Sequence, residues 1–263
     1  MSAVPKSSEP VLLREDRDGV TTLTLNRPEQ FNALSGELLA SIQKALDEIA
    51  KDKAVKVVVI AGKGRGFCAG PDLKEIRALG TQPKIRKLFD QCSRMMVSLV
   101  SIPQPVIAKV HATATAAGCQ LVAQCDLAIA AEGAKFAVSG VNFGLFCSTP
   151  SVALARNVGR KAAMEMLLTG EFIDAPTAKA YGLVNRVVPP QLLDEEVLKL
   201  ANQIASKPRE AVASGKRAFY QQLEMGLASA YDLASETISC NAASDEGREG
   251  IDAFLEKRKP DWK

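Results

Sequence analysis

At 263 residues, with 47% hydrophobic and 24% charged side chains, the chain is long enough for one large or two small folded units with a substantial core. A formal charge of +3 is too small to mark a nucleic-acid binder, and no Lys/Arg cluster is interleaved with aromatics. No apolar run approaches the ~20 residues that span a bilayer. Residues 1–10 are polar and lack an apolar h-region, so neither a secretory signal nor a membrane span is expected, and a cytoplasmic location is.

Residues 20–25 (VTTLTL) are β-branched and partly alternating, which predicts a strand that Asn26-Arg27-Pro28 closes as a turn. From about Ser35, Leu38, Leu39, Ile42, Ala45, Leu46 and Ile49 recur at helical spacing. The nearly continuous apolar run 55–61 (VKVVVIA) predicts a strand covered on both faces, with a loop over 62–70 behind it. Residues 85–100 are amphipathic, with Leu88, Phe89, Cys92, Met95, Met96 and Leu99 on one side. A strand is expected over 106–110, a helix around 118–123, and short strands over 126–131 and 136–138. Helices follow over 152–158, 161–168 and 175–181, then a strand over 184–188. After Pro189-Pro190 comes a helical tail over 192–206, 209–224, 228–240 and 246–257. The change of texture near residue 200 predicts a core region, 1–200, and a helical module, 201–263. No internal repeat or low-complexity segment is present.

Two stretches stand out chemically: Cys68-Ala69-Gly70-Pro71-Asp72-Leu73-Lys74-Glu75 and Ala116-Ala117-Gly118-Cys119-Gln120-Leu121. Each follows a β-rich run and opens a helix. Two helix N-termini side by side form an anion site from backbone N–H groups, suited to the oxygen of a reacting thioester carbonyl. Gly62-Lys63-Gly64-Arg65-Gly66 follows a strand but lacks the G-x-G-x-x-G spacing, and no phosphate-loop motif exists, so a nucleotide cofactor is not expected. The six cysteines show no C-x-x-C pair, and the single His111 completes no zinc set, so no metal is expected. Reduced, mostly buried thiols and a structural His111 are the expectation.

An ordered set of fragments carries a resemblance. It runs Asn26-Arg27-Pro28, Asn32-Ala33-Leu34, Gly66-Phe67-Cys68-Ala69-Gly70, Asp72-Leu73-Lys74-Glu75, Pro105-Val106-Ile107-Ala108, Ala117-Gly118-Cys119 and Cys125-Asp126. It continues through Leu168-Thr169-Gly170, Ala178, Gly182-Leu183-Val184 and Phe254-Leu255-Glu256-Lys257-Arg258. The chain thereby resembles the crotonase (enoyl-CoA hydratase/isomerase) superfamily over nearly its whole length. The Ala/Gly stretch and Gly144-Leu145-Phe146-Cys147-Ser148-Thr149-Pro150 resemble the enoyl-CoA hydratase domain-containing protein 3 branch most. The resemblance implies an α/β fold, a ClpP-like spiral of ββα units, with a C-terminal helical part that makes homotrimers and usually hexamers. It implies an acyl-CoA ligand, with coenzyme A entering as part of the substrate and no cofactor bound. The thioester oxygen would lie between the N–H groups of residues 71 and 117. The rest of the coenzyme would run past Phe31, Ala33, Ala69, Gly70 and Asp72. Lys257 stands either where the family contacts the phosphates, from a neighbouring subunit, or as a solvated cation.

The sequence departs from the family at three of these places. Hydration of a double bond uses a base and an acid on one face, and the resemblance places two glutamates for it. Gln120 stands at the first position and Gly140 at the second; an amide does not accept a proton near neutral pH, and glycine offers nothing. Pro71 has no N–H, so one arm of the oxyanion site is missing, although proline also suits a first helical position. Asp72 N–H is the available substitute donor. Asp72 and Glu75 are expected to cap the helix. Ser139, Asn142, Cys147, Ser148 and Thr149 cluster where a polar acyl group or a water would be held, and Asp126 reads as a structural carboxylate.

Overall fold

The structure, a computed structural model, describes residues 9–262. It opens with an antiparallel hairpin, β1 (Leu12–Arg17) and β2 (Val20–Leu25), turning at Asp18-Gly19, and then α1 (Gly36–Ile49). Ser35 is the N-cap of α1, its side chain accepting from the Leu38 N–H, and the six residues expected to face the core are the ones buried. Then each turn of the chain lays down two strands. These are β3 (Val57–Gly62) with β4 (Gly66–Cys68), β5 (Val106–Val110) with β6 (Thr113–Thr115), and β7 (Leu127–Ala131) with β8 (Lys135–Ala137). The first pair is followed by α2 (Leu73–Leu79) and α3 (Gln82–Ser101), the second by α4 (Ala117–Gln124), and the third by α5 (Ser148–Asn157) and α6 (Arg160–Thr169). β9 (Ile173–Asp174), α7 (Ala175–Ala180) and β10 (Arg186–Val188) complete the spiral.

The first strand of each pair joins a six-stranded sheet, β1-β2-β3-β5-β7-β10, parallel apart from the opening hairpin. The second joins a smaller sheet, β4-β6-β8-β9, whose last pairing is antiparallel. This is the ββα spiral that the resemblance implies. β4 and β6 went unpredicted because each is only three residues long and Gly/Thr-rich: residues 62–70 read as loop, yet Gly66–Cys68 pairs with β6.

The continuous apolar run of β3 has the expected explanation. Val58 and Ile60 enter the main core with α1, α3 and α4, while Val57 and Val59 face Leu193, Val197 and Ala201 of α8 (Leu193–Ala205) on the other side. Residue 200, the expected boundary of the core, lies inside α8, which is seated on β3, β5 and β7. The tail continues as α9 (Arg209–Gln222), α10 (Leu227–Ala243) and α11 (Asp245–Leu255). α10 buries no residue, and Phe219, Leu223, Leu227, Tyr231, Ile238, Phe254 and Leu255 of the tail are exposed.

A buried clasp fastens this tail to the core. Lys216 of α9, 6% exposed at its side chain, pairs with Asp126 at 2.7 Å and donates to the carbonyls of Leu99 and Gln104, both at 2.8 Å. Tyr220 OH donates to the other Asp126 oxygen at 2.8 Å, and the Val106 N–H donates to Asp126 at 2.6 Å. Asp126 is thus the structural carboxylate expected of it. Among the described residues no helix is long and apolar enough to cross a membrane.

Candidate functional site

The site is built where residues 31–34, 69–72 and 116–120 meet. Phe31 and Asn32 both take positive φ (49° and 56°), which folds Asn26–Leu34 into a compact corner. Asn32, fully buried, accepts from the Arg27 N–H through Oδ1. Its Nδ2 donates to the carbonyls of Lys63, Gly66 and Phe67 at 2.9, 2.9 and 3.1 Å. The Ala69 N–H donates to the Phe31 carbonyl at 2.9 Å and the Leu34 N–H to the Gly70 carbonyl at 2.7 Å, so the two segments run alongside each other. Arg27 spans both, donating to the Ala33 carbonyl and, at 2.9 Å, to Asp72.

The second stretch is pressed against the first. A Cβ on Gly118 would lie well under 3.0 Å from the Cys68 carbonyl, so only glycine lets α4 start this close to β4. A Cβ on Gly70 would stand 2.8 Å from Ala116 Cβ and 3.0 Å from the Ala117 nitrogen. Ala116, at φ 49° and ψ −121°, turns the chain sharply into α4, and among the described residues no hydrogen bond takes up the Ala117 N–H. The two expected segments therefore do meet, with a free amide at the second.

At the first segment residue 71, the donor expected from the resemblance, is proline and carries no N–H. Leu34 and Pro71 form a parallel bridge in which the flanking Gly70 carbonyl and Asp72 N–H both turn toward Leu34. In extended chain the intervening amide position faces the opposite way, away from Leu34, and it is the proline nitrogen. The Asp72 N–H is held by the Leu34 carbonyl at 3.3 Å, so it is committed elsewhere. Nor is Pro71 the first helical residue, the position the sequence offered for it: Asp72 is the N-cap of α2, accepting from the Lys74 and Glu75 N–H groups, and Pro71 precedes it. Burial opposes the Asp72 charge, but Arg27 and the capping amides hold its carboxyl below the usual range. Glu75 accepts from the Gly36 N–H at 2.9 Å. Asp72 thus caps α2 as expected, whereas Glu75 bonds the first amide of α1.

Gln120, on the first turn of α4, is only 5% exposed, and its Oε1 has no hydrogen-bond partner among the described residues. Gly140 lies in a 3-10 turn (Ser139–Phe143) leading to α5. Its φ is not positive; instead the space for a side chain is already filled. A Cβ there would meet the Leu145 carbonyl well under 3.0 Å away and Cys147 Sγ at 2.8 Å. The Leu145 N–H donates to the Gly140 carbonyl at 3.0 Å, and the Gly140 N–H donates to Cys147 Sγ at 3.3 Å. Sequence reasoning had no means of seeing this plug, because it depends on how five residues further on fold back.

The remaining polar residues of that segment are engaged locally. Ser139 Oγ lies 3.2 Å from Thr115 Oγ1, Asn142 donates to the Gly170 carbonyl at 3.4 Å, and Ser148 Oγ to the Phe146 carbonyl at 3.3 Å. Thr149 lies in the first turn of α5. Five cysteines are buried and Cys240 is exposed. Burial pushes the thiols of Cys68 and Cys119 up to about 12, and it raises Cys147 against the opposing Gly140 N–H, which removes thiolate chemistry near neutral pH. His111 Nε2 lies 2.8 Å from the Gly64 carbonyl and ties the end of β5 to that loop. Backbone contacts bring Phe31, Ala33, Ala69, Gly70, Pro71, Asp72 and Ala117 together, with Gln120 on the first turn of the helix that Ala117 opens. It leaves Lys257 beyond the end of α11, which packs on α9 and α10.

The Enoyl-CoA hydratase/isomerase sequence profile matches residues 15–263. The chain belongs to the enoyl-CoA hydratase/isomerase (crotonase) family. It is 44% identical over 260 residues to the enoyl-CoA hydratase domain-containing protein 3, mitochondrial, of Rattus norvegicus, covering 99% of this chain and 87% of that one. Among solved structures, an enoyl-CoA hydratase of Mycobacterium smegmatis matches with a TM-score of 0.95 and 56% identity, over 97% of this chain and 99% of that one. Human enoyl-CoA hydratase domain-containing protein 3 matches with a TM-score of 0.93 and 45% identity, over 96% and 100%. The fold and the family, with its acyl-CoA metabolism, are those expected from the sequence. The mitochondrial relatives lend no support to the cytoplasmic location expected above.

Proposed function

We propose that this crotonase-family chain binds acyl-CoA thioesters through the Ala117 amide and catalyses little or no hydration of enoyl-CoA. The observation that carries the proposal is a free Ala117 N–H close to Gly70, beside the bridge at which residue 71 is proline. One donor suffices to orient a thioester carbonyl. Two are the usual arrangement for stabilising the charge that develops on it, and losing one costs about 3–4 kcal/mol in the transition state. On this reading Gln120 supplies a polar contact and no base, and no acid reaches the site from Gly140. Phe31, Ala33 and Ala69 border the coenzyme, which arrives as part of the substrate and not as a resident cofactor. The filled space at Gly140 favours a second reading within the same frame, a CoA-ester-binding subunit with no turnover of its own.

Thermal-shift and calorimetric titration with a panel of acyl-CoA esters tests the binding, since a ligand of the folded state raises the melting temperature by linkage. Failure of every ester to bind would defeat the proposal. Crotonyl-CoA hydration, followed by loss of the enoyl-thioester absorbance, tests the second half; turnover in the ordinary enzyme range of ~1–10³ per second would refute it. The exposed apolar side chains of α9–α11 further support a homotrimer or a hexamer built on the tail, with Lys257 offered to a neighbour's site. Sedimentation as a stable monomer at micromolar concentration would contradict that assembly.

A further inference from the structure

The segment that closes over Gly140 begins beside the Ala117 amide. The Ala116 N–H donates to the Ala137 carbonyl at 2.9 Å, and Ser139 touches Thr115, the last residue of β6. From Ser139 to Cys147 the segment contains no charged residue. The Leu145 carbonyl and Cys147 Sγ close on Gly140, and the large side chains of the same segment are exposed: Phe143 67%, Leu145 52% and Phe146 49%. Three large apolar side chains this close in sequence and left in water mark a surface that something apolar covers.

The other flank of the site has the opposite character. β6, from which α4 springs, lies between β4 and β8 in the small sheet. On the β4 side the exposed Phe31 ring has the Arg65 guanidinium carbon 5.6 Å from its centre; on the β8 side lies the uncharged apolar segment. The Ala117 amide sits between a cationic end and an apolar one. The complement is an elongated molecule with an anionic head, a carbonyl in the middle and a hydrocarbon tail.

We propose that Phe143, Leu145 and Phe146 form the tail subsite of this site and make longer-chain acyl-CoA esters its preferred ligands. The inference rests on the acyl-CoA reading above and adds the class of acyl group. An acetyl group ends beside the thioester and leaves the three side chains in water. A lauroyl chain lies across them and removes apolar surface on both partners, which is favourable in proportion to the area covered.

The test is calorimetry on the full chain with acetyl-, butyryl-, octanoyl- and lauroyl-CoA, each below its micelle concentration. Affinity is expected to rise along the series by about tenfold or more in total. Phe143→Ser and Phe146→Ser, at exposed positions that need not disturb folding, are expected to flatten the rise, with the loss confined to the longer esters. Equal affinity across the series in the unaltered protein would overturn the inference, as would a rise that persists in both variants. Variants that alter sedimentation but keep the chain-length preference would assign the surface to a subunit contact, which also overturns it. Failure of all esters defeats the underlying acyl-CoA reading as well, whereas binding without chain-length dependence defeats the tail subsite alone.

Discussion

Replacing Pro71 with alanine is the most direct probe of the proposed half-complete oxyanion site. The Gly70 carbonyl and the Asp72 N–H both engage Leu34, so the backbone position between them is pinned, and the new N–H faces the side away from Leu34. A hydrogen bond from it to the neutral thioester carbonyl of a bound ester is worth about 0.5–1.5 kcal/mol net, which is roughly two- to tenfold in Kd. Against a developing oxyanion the same donor is worth about 3–4 kcal/mol. The substitution also frees the unfolded chain, at a cost to stability of about 0.4–1 kcal/mol, so a slightly lower melting temperature is expected. Binding is read by calorimetry with butyryl-CoA, and carbonyl polarisation by the infrared stretch of an isotope-labelled thioester, which moves to lower frequency with a second donor. Hydration of crotonyl-CoA stays negligible in the variant, because Gln120 remains an amide and no acid reaches the site from Gly140. An unchanged Kd together with an unchanged carbonyl stretch would show that residue 71 does not face the ligand, and the reasoning would fail.

Other perturbations test the scaffold around that site. Gly140→Ala forces a methyl group into the Leu145 carbonyl and Cys147 Sγ and should destabilise the fold by about 1–3 kcal/mol, seen as a lowered melting temperature; an unchanged one would mean the segment opens freely. Lys216→Met leaves the Asp126 charge buried and unpaired, an expected loss of about 3–5 kcal/mol in urea unfolding. A loss below about 1 kcal/mol, the level of an exposed pair, would show that the clasp is solvated. Asp72 has a folded pKa held below the usual carboxylate range, so the stability it contributes is present above its unfolded pKa of about 3.9 and is lost as pH falls through the lower folded value. Asp72→Asn should therefore be less stable than the unaltered protein at neutral pH, with the gap closing in acid; a gap that stays constant with pH would contradict the assignment.

The parts of the fold legible in the sequence are those whose cause is local. The six residues of α1 that face the core repeat at helical spacing, and the unbroken apolar run of β3 reports two covered faces because α8 lies on one of them. β4, β6 and β9 were not legible: strands of two or three residues have too few positions for a period, and only the neighbouring strand defines them. The same division runs through the site. That 68–75 and 116–121 each open a helix was readable, and so was the missing N–H of Pro71. That Asp72 N–H is spoken for by Leu34, 38 residues earlier in the chain, was not, because a single weak bridge between distant segments leaves no trace in either. The clasp between Asp126 and Lys216 was half legible, as a structural carboxylate without its partner.

The three positions at which the sequence reading places departures from the family pattern differ in kind. Gln120 is an amide side chain on the first turn of an intact helix, and Pro71 lacks an amide N–H in a segment whose course is fixed by its neighbours. At Gly140 the main chain itself fills the space for a side chain. On the sequence alone, only the triple change of Pro71 to alanine and of Gln120 and Gly140 to glutamate could bring back measurable hydration. The structure argues against it, because the space in front of Gly140 holds a main-chain carbonyl, which cannot move as the tip of a side chain would. The Leu145 carbonyl is carried by the same turn that bonds the Leu145 N–H to Gly140 and the Gly140 N–H to Cys147. A glutamate at 140 would have to break those contacts before its carboxylate reached the site. The turn that excludes a carboxylate is also the one that leaves Phe143, Leu145 and Phe146 outward. The filled space at Gly140 and the outward apolar side chains share one turn, so a change that made room for a side chain at 140 is expected to disturb the Phe143, Leu145 and Phe146 surface as well.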